Sequence, residues 1–194
     1  MRSDTRRNIK RLVWSVGEVV RENPTSVTMN AIAAKAEIAP ATAYRYFSSV
    51  ELLVEAYTVE MVTELGDFGE SSDETGSDLY RAVLAQWFEL IVEHGRAMVH
   101  LRSRRGFLDR LHHEDALIAQ VRRAWEHPVR ELLAAEGIDA SHYEMAMFLC
   151  NILTDPREML DLAEHVDIDR DEAVTALCRT VVGAIRGWAQ ADAT

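Results

Sequence analysis

An all-α fold is predicted for this 194-residue sequence, and three observations predict it. Apolar residues recur at helical spacing from the start, with Ile9, Leu12, Val13, Val16, Val19 and Val20 on one face of the first long segment. Nothing in the second half alternates polar and apolar residues as a half-buried strand does. Helix start and stop signals also punctuate the chain, at Asn23-Pro24, Ser48-Ser49, the glycine-rich run 66–76 and Gly137. The resulting organisation is a three-helix N-terminal domain over 1–50, a linking helix over 51–66 and a larger helical domain over 67–194.

The first helix spans 5–22, and Asn23 can take the left-handed position after it, with Pro24 preventing continuation. Thr28 is placed to cap a second helix over 29–36. Its apolar stripe, Ile32, Ala33 and Ala36, is narrow, so another helix can cross it closely and steeply. The chain must then reverse at Glu37, through a left-handed backbone, so that Ile38 returns to the core. Pro40 suits the first position of a third helix, ending near Tyr46. Ser48 to Glu51 reads as a capping box for a long linking helix, with Phe47 stapled onto Leu52. A loop over 66–76 then leads to helices at 79–94 and 96–107. A further segment from Leu108 leads into a helix over 115–136 that Gly137 ends, and the last helices cover 141–165, bent near Pro156, and 169–189.

On the third helix, spacing turns Ala43 and Phe47 inward. It leaves Pro40, Ala41, Thr42, Tyr44 and Arg45 outward, with Tyr46 at the edge. These groups suit double-stranded DNA: a guanidinium pairs with guanine O6 and N7, small methyls meet the thymine methyl, and phenols donate to phosphates. Spacing alone leaves a second reading open, in which the helical hairpin simply half-buries its tyrosines against a neighbour.

The run Thr28, Ile32, Ala33, Ala36, Ile38, Thr42, Tyr44, Tyr46, Phe47, Glu51 and Leu53 resembles the N-terminal signature of the TetR family of bacterial transcriptional regulators, over residues 8–65. The resemblance implies an all-α homodimer whose N-terminal domains read a palindromic operator through Thr28, Pro40, Ala41, Thr42, Tyr44, Arg45 and Tyr46. It also implies a C-terminal domain that binds a small-molecule effector, and repression as the default mode. Three positions depart from the family pattern: Glu37 in place of a turn glycine, Ala39 in place of a capping serine, and Val50 in place of a phosphate-contacting lysine.

The net charge of −11 is unevenly spread. Residues 1–55 hold eight Lys and Arg against six Asp and Glu, whereas the rest holds 13 against 26. Arg6, Arg7, Lys10 and Arg11 gather at the front, where a positive end can follow a phosphate backbone whatever the remote charge. No run is long enough to span a membrane and the N-terminus has no apolar signal core, so a cytoplasmic protein without membrane contact is expected. Cys150 and Cys178 read as reduced thiols. The seven histidines contain no helical i, i+4 pair, and neither a nucleophile elbow nor a phosphate-cradling glycine loop is present. The expectation is therefore no enzyme activity, no metal and no cofactor.

In the larger domain, the large residues Leu84, Trp87, Phe88, Ile91, Met98, Phe107, Trp125 and Phe148, with Asn151, are the candidate lining of an effector pocket. Arg102, Arg104 and Arg105 fit either an anionic head group or a solvated helix face paired with nearby acids. Two helices carry candidate dimer faces: Met145, Phe148, Leu149 and Ile152 on one, and Leu177, Val181, Ile185 and Trp188 on the last, where Gly183 and Gly187 permit close approach. A helical ligand-binding or interaction protein with a degenerate helix-turn-helix is the alternative function.

Overall fold

The computed structural model describes residues 2–24, 27–99, 106–113 and 115–191. Among them ten α-helices and one short 3-10 turn follow one another without a strand. The first is α1 (Arg2–Glu22), which buries Leu12, Val13, Val16, Val19 and Val20, the face its spacing predicts. Next come α2 (Met29–Lys35), capped by Thr28, and α3 (Pro40–Tyr46), both within a residue of the expected bounds. Helix α4 (Val50–Ser71) leaves this unit and α1 packs against α2, α4 and α5 (Gly76–Met98). At the α1–α4 crossing a Cβ on Gly17 would lie 2.2 Å from the Tyr57 hydroxyl, so this approach depends on glycine.

Four local expectations need correcting. Helix α4 does not stop at 66: Gly66 and Gly69 lie within it and are buried. A Cβ at 66 would sit 3.5 Å from the Ala124 Cα, and one at 69 would sit 3.3 Å from the Val83 Cγ2. These glycines let α4 lie close on α7 (Ala116–Ala135) and α5, and only Ser72 to Thr75 connects α4 to α5. The cap of α4 is Ser49, whose hydroxyl accepts from the Leu52 N–H at 3.3 Å, so the frame shifts by one and Leu52 stays half exposed instead of stapled. The expected bent helix over 141–165 is two helices, α8 (Tyr143–Leu153) and α9 (Pro156–His165). Pro156 has no N–H to continue α8, and Asp155 caps the new start by accepting from the Arg157 N–H at 2.9 Å. Finally, α5 extends beyond 79–94 to Met98, and the next described helix is α6 (Phe107–His112). Arg102, Arg104 and Arg105 lie outside the described residues.

Helix α5 is the axis of the larger part, touching α1, α4, α7, α9 and α10 (Arg170–Ala191). Its packing on α10, together with that of α8, changes the expected dimer stripe. Val181 and Ile185 are buried by this chain alone, because an apolar stripe on a long helix first covers its own core. No described helix is long and apolar enough to cross a membrane.

Candidate functional site

The short helix α3 buries a single residue, Ala43, and spends the rest of its surface on solvent. Pro40, Ala41, Tyr44 and Arg45 are exposed, Thr42 and Tyr46 are half-buried, and Tyr44 leaves 52% of its surface free. The Arg45 guanidinium lies over the Tyr46 ring, 5.3 Å from its centre, and its Nη2 is 3.4 Å from the Tyr46 hydroxyl. That contact, helped by Asn8, holds the phenol below its ordinary pKa. Arg45 is thus steadied against Tyr46 at an exposed position, where its planar guanidinium can offer paired hydrogen bonds to a base or phosphate. Thr28 is exposed and accepts from the Ala31 N–H at 3.2 Å, so its oxygen serves the start of α2. Ala39 makes no side-chain cap for α3.

Glu37 does take the left-handed backbone, at φ +53°. Its side chain accepts from Arg11 Nη2 at 2.8 Å, a pairing across 26 residues that no local signal could reveal. Arg7 pairs with Asp4, whereas Arg6 and Lys10 have no acidic partner among the described residues.

Beyond the first three helices, α4, α5, α6, α7, α8 and α9 line a partly open cavity of about 650 Å³. Of the nine residues expected to line it, Trp87, Met98, Phe107, Trp125 and Asn151 do. Leu84, Phe88 and Ile91 are instead packed in the core, and Phe148 packs against that core outside the cavity. Thr58, Val62, Leu117, Ile118, Val121, Thr154 and the Asp155-Pro156-Arg157 corner complete much of the wall. Trp87 and Trp125 stand at right angles, ring centres 6.5 Å apart, and the Trp87 Nε1 donates to the Thr154 carbonyl at 3.0 Å. Arg110, also in the wall, meets Asp115 through Nε and Nη2 at 3.1 and 2.8 Å. That contact, against an opposing effect of burial, keeps the Asp115 carboxyl below its usual range. For Asp155 burial is the strongest influence and acts upward, but the Arg157 side chain and backbone N–H outweigh it and the carboxyl is held low. These lining residues were hidden in the sequence because their helix faces become one wall only when α4, α7 and α9 all pack on α5.

On the outer side of α8 and α10, Ile152 and Trp188 are half exposed, Met145, Phe148, Leu149 and Leu177 are partly buried, and Gly183 and Gly187 face open space.

Residues 19–57 match the family profile of the bacterial regulatory proteins of the tetR family. The chain carries a TetR-family N-terminal domain. Beyond that domain, solved TetR-type regulators share the fold over nearly the whole length. A tetR-family transcriptional regulator from Streptomyces coelicolor is 20% identical, with 95% of this chain and 91% of that one covered at a TM-score of 0.64. A TetR transcriptional regulator from Rhodococcus sp. RHA1 is 20% identical, with 92% and 97% covered at 0.59. The transcriptional regulator FadR from Bacillus subtilis, solved in complex with stearoyl-CoA, is 16% identical, with 89% and 97% covered at 0.67. No curated protein matches the sequence.

Proposed function

We propose that the protein is a cytoplasmic transcriptional repressor that binds a palindromic operator as a homodimer and is released by an apolar or amphipathic effector held in the cavity. The observation that carries this reading is the double duty of α4. It starts four residues after α3 ends, and it lines the cavity with Thr58 and Val62. A ligand that fits the cavity better at one tilt of α4 shifts the reader with it, and by linkage the fit to DNA. Helix α4 is also tied to α7, whose Arg123 meets Asp67 and Glu70 at 3.0 and 3.1 Å, so a change in the α7 wall reaches the same lever. The stearoyl-CoA complex of the Bacillus subtilis relative supports a small-molecule effector in this fold. A second copy of the chain fits the outer face of α8 and α10, where Ile152, Trp188, Gly183 and Gly187 lie uncovered. The reader would be α3, through Tyr44 and Arg45, with the free Arg6 and Lys10 on phosphates.

The test is a gel shift with DNA flanking the protein's own gene, at two salt concentrations, alongside light scattering. A retarded band that weakens steeply with salt, and a mass of two chains that Gly183→Glu reduces to one, are expected. A salt-insensitive or absent shift would favour the ligand-binding protein with a degenerate reader, which the uncapped Ala39 and the Arg11–Glu37 pair already favour in part.

A further inference from the structure

Among the described residues, each ionised group of the cavity wall already has a partner of opposite charge. Arg110 is occupied by Asp115 through two hydrogen bonds, and Arg157 by Asp155 through two more, both at 2.9 Å. Each aspartate has a second duty as well: Asp115 caps α7 by accepting from the Ile118 N–H, and Asp155 caps α9. An entering carboxylate that took the paired Nε–Nη2 edge of either arginine would displace a bidentate partner and leave that aspartate held by its backbone N–H alone. An entering ammonium would have to take a carboxylate from its arginine in the same way. Apart from Thr58, Asn151 and Thr154, the remaining wall among the described residues is apolar or aromatic, so either charge would also lose part of its hydration there.

The uncharged polar groups are distributed differently. The Thr58 hydroxyl donates to the Val54 carbonyl and the Thr154 hydroxyl to the Cys150 carbonyl, which leaves both oxygens able only to accept. The half-buried Asn151 carboxamide has no hydrogen-bond partner among the described residues and lines the same cavity, offering a donor and an acceptor side by side. Resting on the cavity being the effector site, we infer that it takes an uncharged amphipathic ligand whose amide-like or hydroxyl-bearing head meets Asn151 while its apolar body lies against the touching pair Trp87 and Trp125. The bound carboxylates and guanidiniums select against charged analogues, and Asn151 sets the head-group preference.

Three probes of one chain length test this: octanamide, octanoate and octylammonium, titrated at neutral pH against tryptophan fluorescence and thermal shift of the full chain. Octanamide should bind about tenfold tighter than either ion. Asn151→Leu should remove that advantage, and Asn151→Asp, which keeps the shape, should transfer it to octylammonium. Octanoate binding as tightly as octanamide, or Asn151→Leu leaving octanamide binding unchanged, overturns the inference while the cavity remains the ligand site. Failure of all three probes to bind overturns the cavity assignment itself, and the inference with it.

Discussion

The turn that closes α2 in the reader and the turn that closes α7 in the core have one geometry and different residues. After α2, the Glu37 N–H returns to the Ala34 carbonyl at 3.0 Å and the Ile38 N–H to Ala33 at 2.9 Å. After α7, the Gly137 N–H returns to Ala134 at 3.2 Å and the Ile138 N–H to Leu133 at 2.9 Å. Both pivots are left-handed, φ +53° at Glu37 and +66° at Gly137, and each is followed by an isoleucine that turns back toward the core. Glycine adopts that backbone freely, whereas a side chain there costs roughly 1 kcal/mol. The Arg11 pair offsets part of the cost at Glu37, but both partners are exposed and such pairs contribute about 0–1 kcal/mol. The core turn is therefore chosen for its own stability, while the reader turn accepts strain and places a negative group on its basic front, occupying one of the arginines there.

The largest expected effect that sharpens this contrast lies on α3. Arg45→Ala should remove about 1–3 kcal/mol of discrimination between matched and mismatched operators, and should move stability by less than about 0.5 kcal/mol because the side chain is exposed. Tyr44→Phe should weaken all sequences evenly. Anisotropy titrations with both DNAs, paired with melting curves, check this; unchanged discrimination in Arg45→Ala means α3 reads no base.

Exchanging the pivots is the next test. Gly137→Glu should cost about 1 kcal/mol of stability and leave DNA affinity alone, since a Cβ there meets nothing within 4 Å and only the backbone resists. Glu37→Gly should gain less, about 0.5 kcal/mol, because it loses the Arg11 pair and adds freedom to the unfolded chain. It should also tighten DNA binding without altering sequence preference, by returning Arg11 to the phosphates. A lower melting temperature for Glu37→Gly would mean that the ion pair outweighs the strain.

The smallest effect concerns the joint between the two regions, where Tyr57 of α4 lies between Gly17 of α1 and His94 of α5. The Tyr57 hydroxyl, its pKa pushed up to about 12 by burial, is 2.7 Å from His94 Nδ1, which in the neutral ring can accept its proton. Burial holds the His94 pKa below 6.5, with Glu93 and Glu64 pulling it up and Arg21 pushing it down. The fold thus favours neutral His94. Its contribution is complete above pH 6.5 and is lost as pH falls through 6.5 toward the lower folded value. Melting from about pH 7 to about pH 5 should show that decline, and His94→Gln should flatten it. An unchanged slope in the variant would assign the acid sensitivity elsewhere.

Local chemistry explains what could be read from the residues alone. Thr28, Pro40, Asp115 and Gly137 act through hydrogen bonds or backbone angles within four residues of themselves, so the start or end of α2, α3 and α7 and the left-handed Glu37 were legible without a fold. Helical spacing likewise determined that α3 would turn Ala43 in and Tyr44 and Arg45 out. Tertiary packing alone decided what the same residue types do elsewhere. Gly66 and Gly69 look like loop residues until α7 and α5 lie against them. Trp87 and Phe88 are adjacent and both buried, yet only Trp87 lines the cavity, since neighbours on a helix point about 100° apart. Val181 and Ile185 carry the apolar stripe of α10, but α5 and α8 cover them first, leaving Trp188, Gly183 and Gly187 outside. A sequence specifies which residues must leave water; which neighbour covers each one depends on how helices distant in the chain cross.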